Sequence, residues 1–171
     1  YRKRPGTQGF SVPLVGASLF FIISLFLFAS YKNSAYQQAK KEIYSLYTAN
    51  RAFDLDEVYQ DGLAAIYAKE YGKTATEAGC EALEQTGLPY VLLLSQFSAP
   101  VERVYVTNCQ LSETGREKKA RTYDYTVSVR FCLEKGDEVL APEKTMDFHG
   151  TVVMKKKGWF RWLLDGVTLG E

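Results

Sequence analysis

The chain has 171 residues, with 21 Lys and Arg against 20 Asp and Glu, a formal net charge of +1, one His and three Cys. That length holds one domain with a real core beside any membrane segment, and not two. Four of the positive charges, Arg2, Lys3, Arg4 and Lys32, stand well ahead of the first acid, Glu42. The rest of the chain is mildly acidic, which excludes a general nucleic-acid binder with its clustered positive surface.

Between Arg4 and Lys32 there is no charged side chain. The stretch of residues 10–30, FSVPLVGASLFFIISLFLFAS, is long enough to cross a hydrocarbon core of ~30 Å as a helix rising ~1.5 Å per residue. Phe10, Val12, Leu14, Phe20, Phe21, Ile22, Ile23, Leu25, Phe26, Leu27 and Phe28 form its apolar surface. Tyr31 falls where an aromatic residue sits at the level of the headgroups. The basic tail of residues 1–9 favours a cytoplasmic N-terminus and a C-terminal domain outside the cell membrane, with Lys40 and Lys41 pulling the other way. The apolar core exceeds the ~7–15 residues of a signal peptide, and bulky Leu27 and Phe28 stand where small residues precede a cut. A retained anchor is favoured over a cleaved signal.

Residues 31–52 then read as a helical stalk, with Ala35, Ala39, Ile43, Leu46, Tyr47 and Asn50 on one stripe. No Gly or Pro intervenes, so the pattern predicts one continuous helix from the span to about Ala49. The stripe is too short for a sustained coiled coil, and docking on the chain's own domain is expected. The domain, residues 53–171, opens with a helix from Asp54 to Tyr71. Asp54 and Glu57 have capping-box spacing, and Leu55, Val58, Tyr59, Gly62, Leu63 and Ile66 form the apolar face. A shorter helix comes next, with Thr74 as N-cap, Glu77 at the reciprocal position, and Gly87 and Pro89 at its end. The apolar run of residues 90–100 reads as a short helix.

From Val101 the period changes to two. VERVYVTNCQL reads as a strand, joined by the polar loop SETGREKKA to TYDYTVSVRFCLE. In that second strand Tyr123, Tyr125, Val127, Val129, Phe131 and Leu133 face one way, and Thr122, Asp124, Thr126, Ser128, Arg130 and Cys132 the other. A turn then leads to KTMDFHGTVVMK, with Met146, Phe148, Val152 and Met154 inward. A tight KKG turn, residues 156–158, leads to the last strand, WFRWLLDGVTL. The fold class is α+β: an N-terminal transmembrane helix, then helices packed on a four-stranded antiparallel meander.

Helices first, then a meander closing on KKKGWFRWLLDGVTL, resembles the nuclear-transport-factor-2-like (cystatin-like) superfold over roughly residues 54–169. The resemblance implies a curved sheet wrapped around the N-terminal helices. One span followed by such a domain is similar to the bitopic inner-membrane scaffold subunit of type IV secretion and conjugation machines, whose domain is an assembly part without catalytic residues.

Few residues carry chemistry. Some enzymes of this superfold use an Asp/His pair inside the cone, but His149 and Asp147 share the strand face opposite Met146, Phe148 and Val152. No nucleophile, phosphate-loop or metal-ligand motif appears, and no cofactor is expected. Cys80, Cys109 and Cys132 allow one disulfide with a spare thiol, or three free thiols. The meander has a basic end, with Arg116, Lys118, Lys119 and Arg121 in its first turn and Lys155, Lys156 and Lys157 in its third. An acidic end carries Glu134, Asp137, Glu138 and Glu143. The basic end is either solvated hairpin tips or a docking surface for anionic lipid or an acidic partner. Tyr123, Tyr125, Val127 and Phe148 would line any pocket on the inner sheet face, where buried phenols with hydrogen-bond partners are the plainer alternative.

These readings converge on a non-catalytic scaffold subunit. Its expected partners are the lipid bilayer, other subunits of a membrane complex, and further copies of itself through two open sheet edges; no nucleic acid is expected. A membrane-tethered domain holding a small apolar ligand or peptide is the second reading, and an anchored enzyme the third.

Overall fold

The computed structural model describes residues 12–32, 34–48, 55–89, 101–133, 143–159 and 161–170. The tail, Phe10, Asn50, the Asp54 cap, the run 90–100 and the acids Glu134, Asp137 and Glu138 lie outside them. The chain divides into two compact units, Tyr1–Lys32 and Asn33–Glu171.

The first unit holds α1, Val12–Lys32. Its bulky side chains from Leu19 to Phe28 are all exposed, from 48% at Ile23 to 74% at Phe20, so the helix is apolar on every side. Among the described residues no single helix is long and apolar enough to cross a membrane, whereas Ser18–Tyr31 and Ala35–Thr48 together meet that length and composition across a break.

The second member of that pair is α2, Ala35–Thr48, and its apolar stripe is already occupied. Ala35, Ala39, Ile43, Leu46 and Tyr47 are buried in the core of the second unit, against the sheet. The continuous helix expected from span to stalk is thus two helices. The reason lies at Ser34, whose hydroxyl accepts a hydrogen bond from the Gln37 N–H at 3.3 Å and so starts a new helix in the manner of an N-cap.

The helix expected from Asp54 to Tyr71 is likewise two, α3 (Leu55–Asp61) and α4 (Leu63–Tyr71). Gly62 separates them with φ +79°, a left-handed conformation that glycine adopts without the Cβ penalty. The break turns Tyr59 outward, 87% exposed, while Ile66 and Tyr67 are buried. Helix α5 (Glu77–Thr86) starts at Thr76 rather than Thr74: the Thr76 hydroxyl accepts from the Gly79 N–H at 3.1 Å. Gly87, at φ +70°, ends the helix in the left-handed region, as its sequence position suggests.

The sheet is an antiparallel meander in the order β1-β2-β3-β4, formed by Val101–Arg116, Ala120–Leu133, Glu143–Lys157 and Arg161–Val167. Every inward residue expected on β2 is buried, and on β3 Val152 and Met154 are buried while Met146 and Phe148 are half-buried. The segment expected as a loop from Ser112 is strand as far as Arg116. Ser112 to Arg116 pair with Asp124 to Arg121, because the ladder satisfies their backbone groups whatever their polarity. Both β4 and its outer edge also depart from expectation. Trp159 lies in the turn, not in the strand. The Thr76 N–H donates to Leu164 O at 2.8 Å and the Leu164 N–H to Thr74 O at 2.9 Å, so the α4–α5 connection covers an edge expected to be open.

Candidate functional site

Two regions bear on function: the inner face of the sheet and its basic end.

The inner face is filled by α2. Tyr47 lies against Phe148, with ring centroids 5.3 Å apart, and against Tyr125 at 5.9 Å. Tyr36 meets Tyr123 edge-on at 6.0 Å, and Phe131 meets Phe148 at 6.4 Å. The residues expected to line a pocket are therefore packed: Tyr123 and Tyr125 are 2% exposed and Val127 fully buried. The phenols of Tyr47 and Tyr125 are satisfied in series. The Tyr125 hydroxyl donates to Thr168 O at 2.9 Å, which leaves it to accept from the Tyr47 hydroxyl at 3.0 Å. Burial pushes both phenols above their ordinary ionisation range, and for Tyr47 the neighbouring Tyr125 adds to the effect.

On the outer face, His149 and Asp147 are exposed on β3, opposite Thr126 and Ser128 of β2. They share a face, as expected, and it is the face turned from the core. No cluster of three or more His, Cys, Asp or Glu able to hold a metal occurs among the described residues. The cysteines are free thiols. Cys109 pairs with Val127, five residues along β2 from Cys132, which is ~16 Å at the rise of a strand and well beyond disulfide reach. Burial raises the pKa of Cys80 and Cys109, away from reactivity.

The basic end is assembled by the meander's first and third turns. Ala120 and Arg121 pair with Lys155 and Met154, and the Lys156 N–H donates to Lys119 O at 2.7 Å, which knits the two tips together. Its charges are not equivalent. Arg116 is held by Glu113, with 2.5 Å between Nε and Oε1, and Lys155 lies 3.5 Å from Asp165. Arg121 donates to Glu117 O and Ala120 O and lies 5.5 Å over the Trp162 ring, with Lys156 at 5.9 Å from the same ring. Lys118, Lys119, Lys156, Gly158 and Trp159 line a cleft of ≈ 290 Å³. Trp159 is the residue that sequence reasoning missed. Alternation assigned it to a strand, whereas Gly158 at φ +74° makes the turn that leaves it 86% exposed. The turn itself was expected at residues 156–158, but the strand was expected to resume at Trp159, whereas it resumes at Arg161.

No family model matches the chain, and no curated protein matches it. Among solved structures, one described as "Ntf2 like protein involved in plasmid conjugation" is similar, with a TM-score of 0.39 and 13% identity, over 78% of this chain. The match covers 46% of that chain, so this chain spans less than half of its length. A likeness of that extent defines no family for the chain.

Proposed function

We propose that the chain is a non-catalytic, membrane-anchored assembly subunit of an envelope-spanning machine, of the conjugation or type IV secretion class that the sequence resemblance implies. The observation that carries this reading is an all-round apolar helix joined to a domain whose inner sheet face is filled by its own side chains. A helix exposing Phe20, Phe21, Leu25 and Phe26 on all sides is stable in lipid or against apolar partners, and costly in water. In this reading the stretch of residues 10–30 is the span, Tyr31 its interfacial anchor, and the domain works outside the cytoplasm.

The packing of Tyr47 against Tyr125 and Phe148 supports assembly over ligand binding, since a ligand on the inner face would have to displace a buried tyrosine. The outward, solvated His149 and Asp147 support a non-enzymatic role, because general acid–base chemistry needs convergent groups in a partly dry site. Alkaline carbonate extraction of membranes expressing the full chain tests the anchor. Retention in the pellet, with the domain cleaved by protease added from outside the cell membrane, is the expected result. Release into the carbonate supernatant would contradict it.

A further inference from the structure

We infer that the basic end of the sheet is a docking surface for an anionic phospholipid bilayer, with Trp159 as its interfacial anchor. This rests on the reading of α1 as a membrane anchor and adds a second point of contact with the same bilayer.

Four observations point there. Arg116 and Lys155 are offset by Glu113 and Asp165, whereas Lys118, Lys119, Lys156 and Lys157 form no ion pair among the described residues. The tips that carry them are tied by the Lys156 to Lys119 backbone hydrogen bond, so Lys118, Lys119 and Lys156 line one cleft, and Lys157 borders the adjoining one with Lys155 and Lys156. Trp162 is explained by packing beneath Arg121 and Lys156, but Trp159, at the rim of the cleft, is 86% exposed. Finally, only Asn33 and Ser34 separate α1 from α2, so an inserted α1 would keep the domain at high effective concentration near the bilayer.

Lipid fits these features better than an acidic protein. An indole with an apolar body and one N–H donor is suited to the headgroup boundary, and lysine ammonium groups act as point charges toward phosphates. Juxtamembrane lysines gain from an anionic leaflet in a way that salt screens. Beside the lysines the cleft is lined by one aromatic ring and a glycine, with no aliphatic or acceptor side chain to read a peptide.

The test uses the full chain reconstituted into vesicles, with tryptophan emission read against brominated lipid and the Trp159→Phe chain subtracted to isolate Trp159. In phosphatidylglycerol-rich vesicles its emission should shift to the blue and be quenched several-fold more than in phosphatidylcholine vesicles. Salt at about 0.5 M should reverse the difference. The triple variant Lys118→Glu, Lys119→Glu, Lys156→Glu should abolish it while leaving the circular dichroism spectrum unchanged. Equal, weak quenching in both lipids would overturn the proposal. So would a blue shift given by soluble polyglutamate but not by anionic vesicles, which would assign the surface to an acidic protein. Carbonate extraction of the same vesicles separates the two readings: a released chain removes the anchor, while a retained chain with unquenched Trp159 overturns the lipid surface alone.

Discussion

The hydroxyls of Tyr47 and Tyr125, 78 residues apart in sequence, meet at 3.0 Å beneath the sheet, and Tyr125 directs its own proton to Thr168 O. One chain of hydrogen bonds thus joins α2, the second strand and the segment after the last strand. It closes the face on which a ligand pocket would otherwise stand. The two substitutions should not be equivalent. Tyr47→Phe removes a donor but leaves Tyr125 bonded to Thr168, and should cost about 0.5–1.5 kcal/mol. Tyr125→Phe strands the Tyr47 hydroxyl as well as the Thr168 carbonyl and should cost about 1–3 kcal/mol. Urea denaturation of both single variants and the double variant checks the order and measures the coupling.

The same pair predicts a response to alkali. Both phenols ionise above their ordinary value in the folded state because burial penalises the phenolate. In the unfolded chain they ionise near ~10, so above that pH the unfolded state binds fewer protons and stability falls. Below it their contribution is fully present. The urea midpoint of the wild-type chain should be level near neutral pH and decline above about pH 10, more steeply than that of Tyr47→Phe.

At Gly79 the usual sign of a helix substitution is expected to reverse. Glycine to alanine within a helix normally stabilises by about 0.5–1 kcal/mol. A Cβ on Gly79, however, would collide with the Leu164 backbone carbonyl, which also accepts the Thr76 N–H, and backbone cannot swing aside. Gly79→Ala should therefore destabilise by about 1–3 kcal/mol, seen as a lower thermal midpoint.

Thr76 has two tasks, capping α5 through Gly79 and donating to Asp165 Oδ1 at 2.6 Å. Thr76→Ala should cost about 1–2 kcal/mol, and Thr76→Ser, which keeps the hydroxyl, much less. Hydrogen exchange should show faster opening at the start of α5 and along the outer edge of β4 in the alanine variant alone.

Much of this architecture was legible from periodicity. The alternation of Tyr123 through Leu133 settled the face of β2, and the stripe from Ala35 to Tyr47 settled the face of α2. What escaped were points at which one residue's backbone or hydroxyl decides. Gly62 lies on the apolar stripe of its helical wheel, yet its left-handed φ breaks the helix. Thr74 and Thr76 are equally good caps on paper, and the contact of Thr76 with Asp165 accompanies the choice of Thr76, while at Ser34 a local hydrogen bond to Gln37 starts a new helix. Strand β1 runs on through Ser112 to Arg116 because its partner is there to receive it, which no local propensity reports. The shared location of the two basic turns came from the meander alone, but the exposure of Trp159 required the turn geometry at Gly158.

If this chain works as a part of a larger membrane assembly, it should be found with the other parts. Affinity purification of the full chain from native membranes in mild detergent, with the co-purifying proteins identified by mass spectrometry, tests this most directly. The expected result is stoichiometric recovery with other subunits of one secretion or conjugation machine, such as its ATPase or channel components. Recovery of the chain alone, as a monomer, would contradict it.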